Sequence, residues 1–267
     1  MMDYPYSDAA LARRLERCEA KTNAAMVAAR ALLHPESGAT SMERAGTYAL
    51  FDGPRSPLTQ TFCLGLFAPP TDEDLEDIEE FFTSRDTKVF HEVSPLAHPD
   101  TLVLLSRRGY RPVELTSILY RPVVAVERTT DVRTRTIEPG EEDLWSSTSA
   151  AGWSEYPELS DFMHDLGRVT AMSRGTHAFL AELDGRPVAT GALAMHDGVA
   201  ILAGASTVPA ERKRGAQRAL LEARLQYAFE HGCDLATMGA LPGSASQRNA
   251  ERQGFRIAYT RIKWGRM

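Results

Sequence analysis

The sequence predicts an α/β (α+β) chain of two domains, each a mixed, mostly antiparallel sheet flanked by helices. Three observations carry this. Helical-period apolar stretches alternate with short β-type runs through both halves of the chain. A polar, charged stretch from Pro122 to Arg135 interrupts that alternation. The 267 residues suffice for two domains at roughly 100–200 residues each.

The elements follow in order. Leu11, Leu15, Cys18, Ala25, Met26, Ala29, Leu32 and Leu33 recur at helical spacing over 8–33, and Pro35 and Gly38 stop that helix. Tyr48–Phe51 and Thr59–Phe67 read as strands, separated by Gly53, Pro54 and Pro57. Thr71 is a good N-cap for an acidic helix over 72–84, whose buried stripe is Leu75, Ile78, Phe81 and Phe82. A strand at 89–93, a helix near 98–108 ending at Gly109, and a strand at 114–120 complete the first half. The expected domains are 1–125 and 126–267. In the second half a strand at 132–137 precedes helical material over 141–172. Strands at 178–183, 187–195 and 199–207 then turn at Asp184-Gly185 and Asp197-Gly198. A helix over 214–230 ends at Gly232, followed by a strand at 235–240, a short helix opened by Ser244, and a last strand over 255–264. Gly109-Tyr110-Arg111 and Gly254-Phe255-Arg256 each precede a strand, which suggests an internal duplication.

Bulk composition excludes several classes. A net charge of −6 gives no electrostatic reason to expect nucleic acid. Three scattered cysteines, Cys18, Cys63 and Cys233, form neither a disulfide framework nor a metal pair, so packed thiols in a reducing, cytoplasmic setting are expected. The N-terminus has no basic region followed by an apolar core, and no stretch is continuous and apolar enough to span a bilayer, so no membrane partner is expected. His164, His177, His196 and His231 are not spaced as metal ligands, and no metal is expected.

The informative segment is Thr207-Val208-Pro209-Ala210-Glu211-Arg212-Lys213-Arg214-Gly215-Ala216-Gln217. An apolar strand leads in and an amphipathic helix leads out. First-turn amides have no intrahelical acceptor, and the helix dipole adds positive potential, so such a junction binds phosphate. Gly215 lets the backbone approach an oxyanion, and Arg212, Lys213 and Arg214 add attraction. The other reading of these residues is a solvated basic turn. Cations at a helix N-terminus oppose the dipole, which favours an anionic ligand.

This string resembles the acetyl-CoA signature of the GNAT N-acetyltransferases, Arg/Gln-x-x-Gly-x-Gly/Ala preceded by Val-x-Pro. Arg212 and Gly215 match; Gln217 stands where Gly or Ala is usual. The resemblance covers about 133–264. It implies acetyl-CoA as co-substrate, with its pantetheine arm pairing to Thr207 and Val208 and its diphosphate on the amides of Arg212, Lys213, Arg214, Gly215, Ala216 and Gln217. The Val208 N–H would polarise the thioester carbonyl, and Ser246 and Asn249 would flank the cofactor, unless those two only cap and face solvent. It implies direct attack by a primary amine of a small molecule, amino acid or peptide, in a monomer or homodimer. The tyrosine that many members place four residues before Gly-Phe is Ala250 here. Tyr259 is the candidate substitute acid, unless it only packs in the core, and Glu155 is the candidate base, unless it is only a surface carboxylate, while Trp153 and Tyr156 either line an acceptor pocket or pack beneath the loop. The non-enzyme alternative is an acyl-CoA-binding regulatory or scaffold module.

The first half resembles a degenerate copy of the same fold. At its phosphate-loop position stand Ala68-Pro69-Pro70-Thr71-Asp72-Glu73-Asp74. The prolines remove amide donors and the carboxylates repel a diphosphate, so this half is expected to bind no CoA.

Overall fold

A computed structural model describes residues 3–266. The first half carries α1 (Ala9–Leu33), β1 (Thr40–Arg44), β2 (Thr47–Phe51), β3 (Gln60–Phe62), α2 (Asp72–Thr83), β4 (Phe90–Val93), α3 (Pro99–Arg107) and β5 (Arg111–Pro122). Then come β6 (Arg133–Thr136), α4 (Glu142–Ala151), α5 (Ser160–Met172), β7 (Thr176–Leu183), β8 (Arg186–His196) and β9 (Val199–Thr207). The chain closes with α6 (Ala216–Glu230), β10 (Leu235–Ala240), α7 (Ala245–Arg252) and β11 (Arg256–Gly265).

These elements form two compact units. One holds the chain up to Arg121 together with the segment from Thr237 onward; the other is Pro122–Ala236. The division at Arg121 lies near the expected boundary, but the expected domain 126–267 does not stay together. Its last segment joins the first unit because β11 hydrogen-bonds on both sides within that unit, antiparallel to β4 and to β5.

In the first unit the strand order is β1–β2–β3–β4–β11–β5, antiparallel throughout except for β3 beside β4. Alternating side chains serve opposite faces. Leu50 and Phe62 pack with Ala20 and Val27 of α1, while Ala49 and Phe51 pack with Leu75, Ile78 and Phe82 of α2 and Leu105 of α3. The hairpin β1–β2 was not expected. Its turn is Ala45-Gly46, with both residues at positive φ (49° and 77°), and alanine gives little warning of that conformation.

The repeated Gly-aromatic-Arg segments have matching geometry. Gly109 and Gly254 are both left-handed, at φ 82° and 81°. Tyr110 N donates to Leu105 O at 3.0 Å and Phe255 N to Ala250 O at 3.1 Å, and both rings are buried. Each is the same helix-ending bond pattern feeding a strand.

The second unit orders its strands β9–β8–β7–β6, all antiparallel. Trp145 of α4 packs on Ala178, Leu180 and Ala192, and its indole N–H donates to Phe179 O at 2.9 Å. Phe179 points the other way and meets the Tyr227 ring of α6. Cys18, Cys63 and Cys233 are free and buried. Among the described residues no helix is long and apolar enough to cross a membrane, and no His/Cys/Asp/Glu group is placed to hold a metal ion.

Candidate cofactor site

The loop from β9 to α6 lies wholly in the second unit. After Val208 the chain makes a short 3-10 turn over Pro209–Glu211, and α6 then starts at Ala216. Lys213 and Gly215 are both left-handed, at φ 66° and 85°. Alternating backbone hands of this kind turn successive N–H groups toward one concave side, a geometry that binds anions. Gly215 is the N-cap, no side chain caps the helix, and its first turn has no acidic residue. Among the described residues the N–H groups of Lys213 to Arg218 have no protein acceptor.

Helix α2 occupies the corresponding place after β3, and there the chain caps itself. Thr71 and Asp74 form a reciprocal capping box, and Asp72, Glu73 and Asp74 fill the first turn. Arg44 binds Asp74 at 2.8 Å, and Arg108 binds Asp72 at 3.2 Å and Glu79 at 2.9 Å. The acidic face is therefore satisfied internally. Glu73→Gln is accordingly expected to leave any CoA-dependent rise in Tm unchanged, measured by differential scanning fluorimetry. Loss of the shift would place the site on the wrong helix.

Two of the three loop cations already have partners. Arg212 donates to the Glu155 carboxylate at 2.5 Å and to Gly152 O at 3.0 Å. Arg214 pairs with Glu211 and lies 3.9 Å from Asp184. Lys213 has no carboxylate partner among the described residues. The chain's own carboxylates thus offset part of the charge conflict at this helix end. Both pairs are substantially exposed, and exposed pairs are worth only about 0–1 kcal/mol, so an incoming diphosphate can displace them.

The expected role of the Val208 N–H is corrected. It donates to Val188 O at 3.0 Å, because the β8–β9 ladder continues one residue past the strand end, and it is not free to polarise a carbonyl. Thr207 pairs in register with Ala189, and its hydroxyl accepts from Gln217 Nε2 at 2.9 Å. The ladder is irregular between Thr190 and Ala192, and the facing residues 203–205 of β9 are exposed.

Beneath that irregularity lies a residue that sequence reasoning missed. Arg224 of α6 is buried and donates to Ala192 O at 3.1 Å and Ala203 O at 3.2 Å. Burial pulls its pKa down to about 10. It sits on the apolar-period face of α6, where an arginine carries no motif signal.

The segment after α4 docks on the end of β9. Ser206 Oγ donates to Ser149 O at 2.7 Å. Gly152 permits the contact, since a Cβ there would lie 1.9 Å from Ser206 Oγ and 2.9 Å from Thr207 N. Trp153 and Tyr156 sit on this segment with ring centroids 6.3 Å apart, 37% and 52% exposed, so they do not pack beneath the loop. Glu155 stands between them in sequence and is tied to Arg212.

Ser246, Asn249 and Tyr259 belong to the first unit. Ser246 and Asn249 are exposed on α7, and Asn249 Oδ1 accepts from Arg252 at 3.0 Å. Ala250 is buried. Tyr259 is also corrected as a candidate acid. It is buried, its hydroxyl donates to Glu16 Oε1 at 3.1 Å, and burial with the nearby Glu16 charge pushes its pKa well up. A hydroxyl committed to a buried carboxylate is not available to protonate a leaving thiolate.

Residues 140–255 match the sequence profile of the acetyltransferase (GNAT) family. No curated protein sequence matches the chain. Solved structures share its fold, among them the following three. A GCN5-related N-acetyltransferase from Kribbella flavida superposes with a TM-score of 0.64 at 22% identity, covering 91% of this chain and 95% of its own. A tandem GNAT protein from the clavulanic acid biosynthesis pathway gives 0.55 at 13% identity, covering 92% and 94%. A GCN5-related N-acetyltransferase from Sphaerobacter thermophilus gives 0.54 at 15% identity, covering 85% and 75%. Residues 140–255 are therefore similar in sequence to the GNAT acetyltransferase family, in a chain that shares the fold of a tandem GNAT protein over 92% of its length.

Proposed function

We propose that the chain is an N-acyltransferase that moves the acetyl group of acetyl-CoA to a primary amine of a small molecule, amino acid or peptide. The carrying observation is the run of unpartnered amides from Lys213 to Arg218, a site for a doubly charged diphosphate. Acetyl-CoA supplies the activated acyl group. The loop amides and Lys213 hold the diphosphate, and the amide-bearing arm runs along the exposed residues 203–205 of β9. A neutral amine attacks the thioester carbonyl carbon, the C–S bond breaks, and thiolate leaves. The amine's proton passes to Glu155 once Arg212 turns to the diphosphate, and a proton from water completes the thiol.

This exchange of partners predicts opposite effects on binding and turnover. Glu155→Gln releases Arg212, so CoA should bind about two- to fivefold tighter, the equivalent of a pair worth up to about 1 kcal/mol. The same change should lower kcat. Calorimetric titration with CoA and a thiol-release assay read the two; weaker CoA binding in the variant would refute the exchange.

The second reading is a non-catalytic acyl-CoA-binding module. It is favoured by Ala250 at the usual tyrosine position and by the commitment of Tyr259 to Glu16. Thiol release from acetyl-CoA over a panel of amines decides. Turnover on any amine supports the enzyme, while CoA binding without turnover across the panel supports the module.

A further inference from the structure

Gln217 departs from the small residue that the motif favours, and its side chain does not face the loop's open side. It turns back beneath the sheet. Nε2 donates to Ser206 O at 2.7 Å and to Thr207 Oγ1 at 2.9 Å, and it approaches Thr190 O at 3.2 Å, so two amide hydrogens serve three acceptors. Ser206 and Thr190 are register partners at the edge of the irregularity in the β8–β9 ladder. A bulge removes ladder hydrogen bonds, and the freed carbonyls need other donors.

The rest of the bulge is served in the same way. Thr190 Oγ1 donates to Gly204 O at 3.0 Å, and Arg224 donates to Ala192 O and Ala203 O. Side chains thus satisfy the bulge, Gln217 and Arg224 from α6 and Thr190 from β8 itself, while residues 203–205 stay exposed on β9. Only Gln217 comes from the first turn of α6. That turn also carries the unpartnered amides, so one side chain ties the amide run to the strand end.

We propose that Gln217 is a positioning residue, holding the end of β9 in fixed relation to the amide run, so that a ligand whose diphosphate sits on the loop finds the exposed residues 203–205 already placed for its amide-bearing arm. The proposal rests on the reading of residues 207–217 as the CoA site. It carries a consequence opposite to motif resemblance. Replacing Gln217 by alanine brings the sequence closer to the family signature, yet it should weaken CoA binding, and it should do so through the arm rather than the diphosphate.

Two probes separate these parts. CoA engages loop and strand; 3′-phosphoadenosine 5′-diphosphate, which lacks the pantetheine arm, engages the loop alone. Calorimetric titration of the full-length protein is expected to show Gln217→Ala binding CoA about tenfold more weakly and the truncated nucleotide within twofold of the parent. Gln217→Met keeps the side-chain bulk and removes the donors, and it should behave as the alanine variant does. Equal weakening toward both probes, unchanged CoA affinity, or loss of the fold in both variants would overturn the positioning role. Failure of the parent protein to bind either probe would instead overturn the CoA-site reading on which the role depends.

Discussion

Gly215→Glu is expected to abolish the CoA-dependent rise in Tm. Gly215 is the left-handed N-cap of α6, and a Cβ built there meets only Thr130 Oγ1 at 3.6 Å and Val132 Cγ2 at 3.8 Å. There is room for a side chain, so the fold bears only the left-handed penalty of roughly 1–2 kcal/mol. The loss comes from charge. A carboxylate at the N-cap bonds the same amides that would hold the diphosphate. It also repels that group by roughly 3 kcal/mol per unit charge pair 5 Å apart at an effective dielectric of 20. That exceeds a hundredfold in affinity, at about 1.4 kcal/mol per factor of ten. Gly215→Ala is the control for backbone strain and should keep most of the shift. A shift that survives in the glutamate variant would move the cradle elsewhere.

Arg261→Met is expected to be among the most destabilising single changes in the chain. Arg261 is 3% exposed and binds three carboxylates, Glu92 at 2.9 Å, Glu16 at 3.0 Å and Glu19 at 2.7 Å. Burial opposes its charge, but the three carboxylates outweigh it and hold its pKa well above the usual arginine value. Removing it strands the buried Glu16 and leaves the buried Glu92 with Lys263 alone, at 3.5 Å. Breaking a buried pair in this way costs about 3–5 kcal/mol, a Tm lower by roughly 10 °C for a chain of this size. Adding Glu16→Gln to Arg261→Met should recover part of the loss, because one stranded charge disappears.

The same cluster sets a pH dependence. Burial raises the Glu16 pKa from 4.5 to about 7, against the pull of Arg261. Between those values the folded protein keeps a proton that the unfolded chain has released, so this group's contribution to stability falls as pH rises from about 4.5 to 7 and then levels off. Urea midpoints at pH 5 and pH 7.5 should differ less in Glu16→Gln than in the parent. An equal difference in both would remove Glu16 as the cause.

The sequence showed most of the secondary structure because periodicity is local. The stripe Leu75, Ile78, Phe81 and Phe82 defined α2, and Thr71 with Asp74 marked its start. The loop at 207–217 was legible for the same reason, as a strand, a glycine and a helix in succession. Long-range pairing was not legible. Nothing near residue 256 indicates that β11 joins β4 and β5, so the last thirty-odd residues were assigned to the wrong unit. Side-chain commitments were equally hidden. Whether Tyr259 is a core ring or a free acid is not decided until Glu16, 243 positions away, is found beside it. The Val208 amide reads as a free donor until Val188 is seen to accept from it.

The central claim is that the amides from Lys213 to Arg218 receive a diphosphate. Residue-resolved hydrogen exchange with and without CoA tests it most directly. Saturating CoA should slow exchange of those six amides at least tenfold and leave the capped amides of Asp74 and Leu75 in α2 unchanged. Unaltered exchange at 213–218, under conditions where CoA binding is measured independently, would contradict the account.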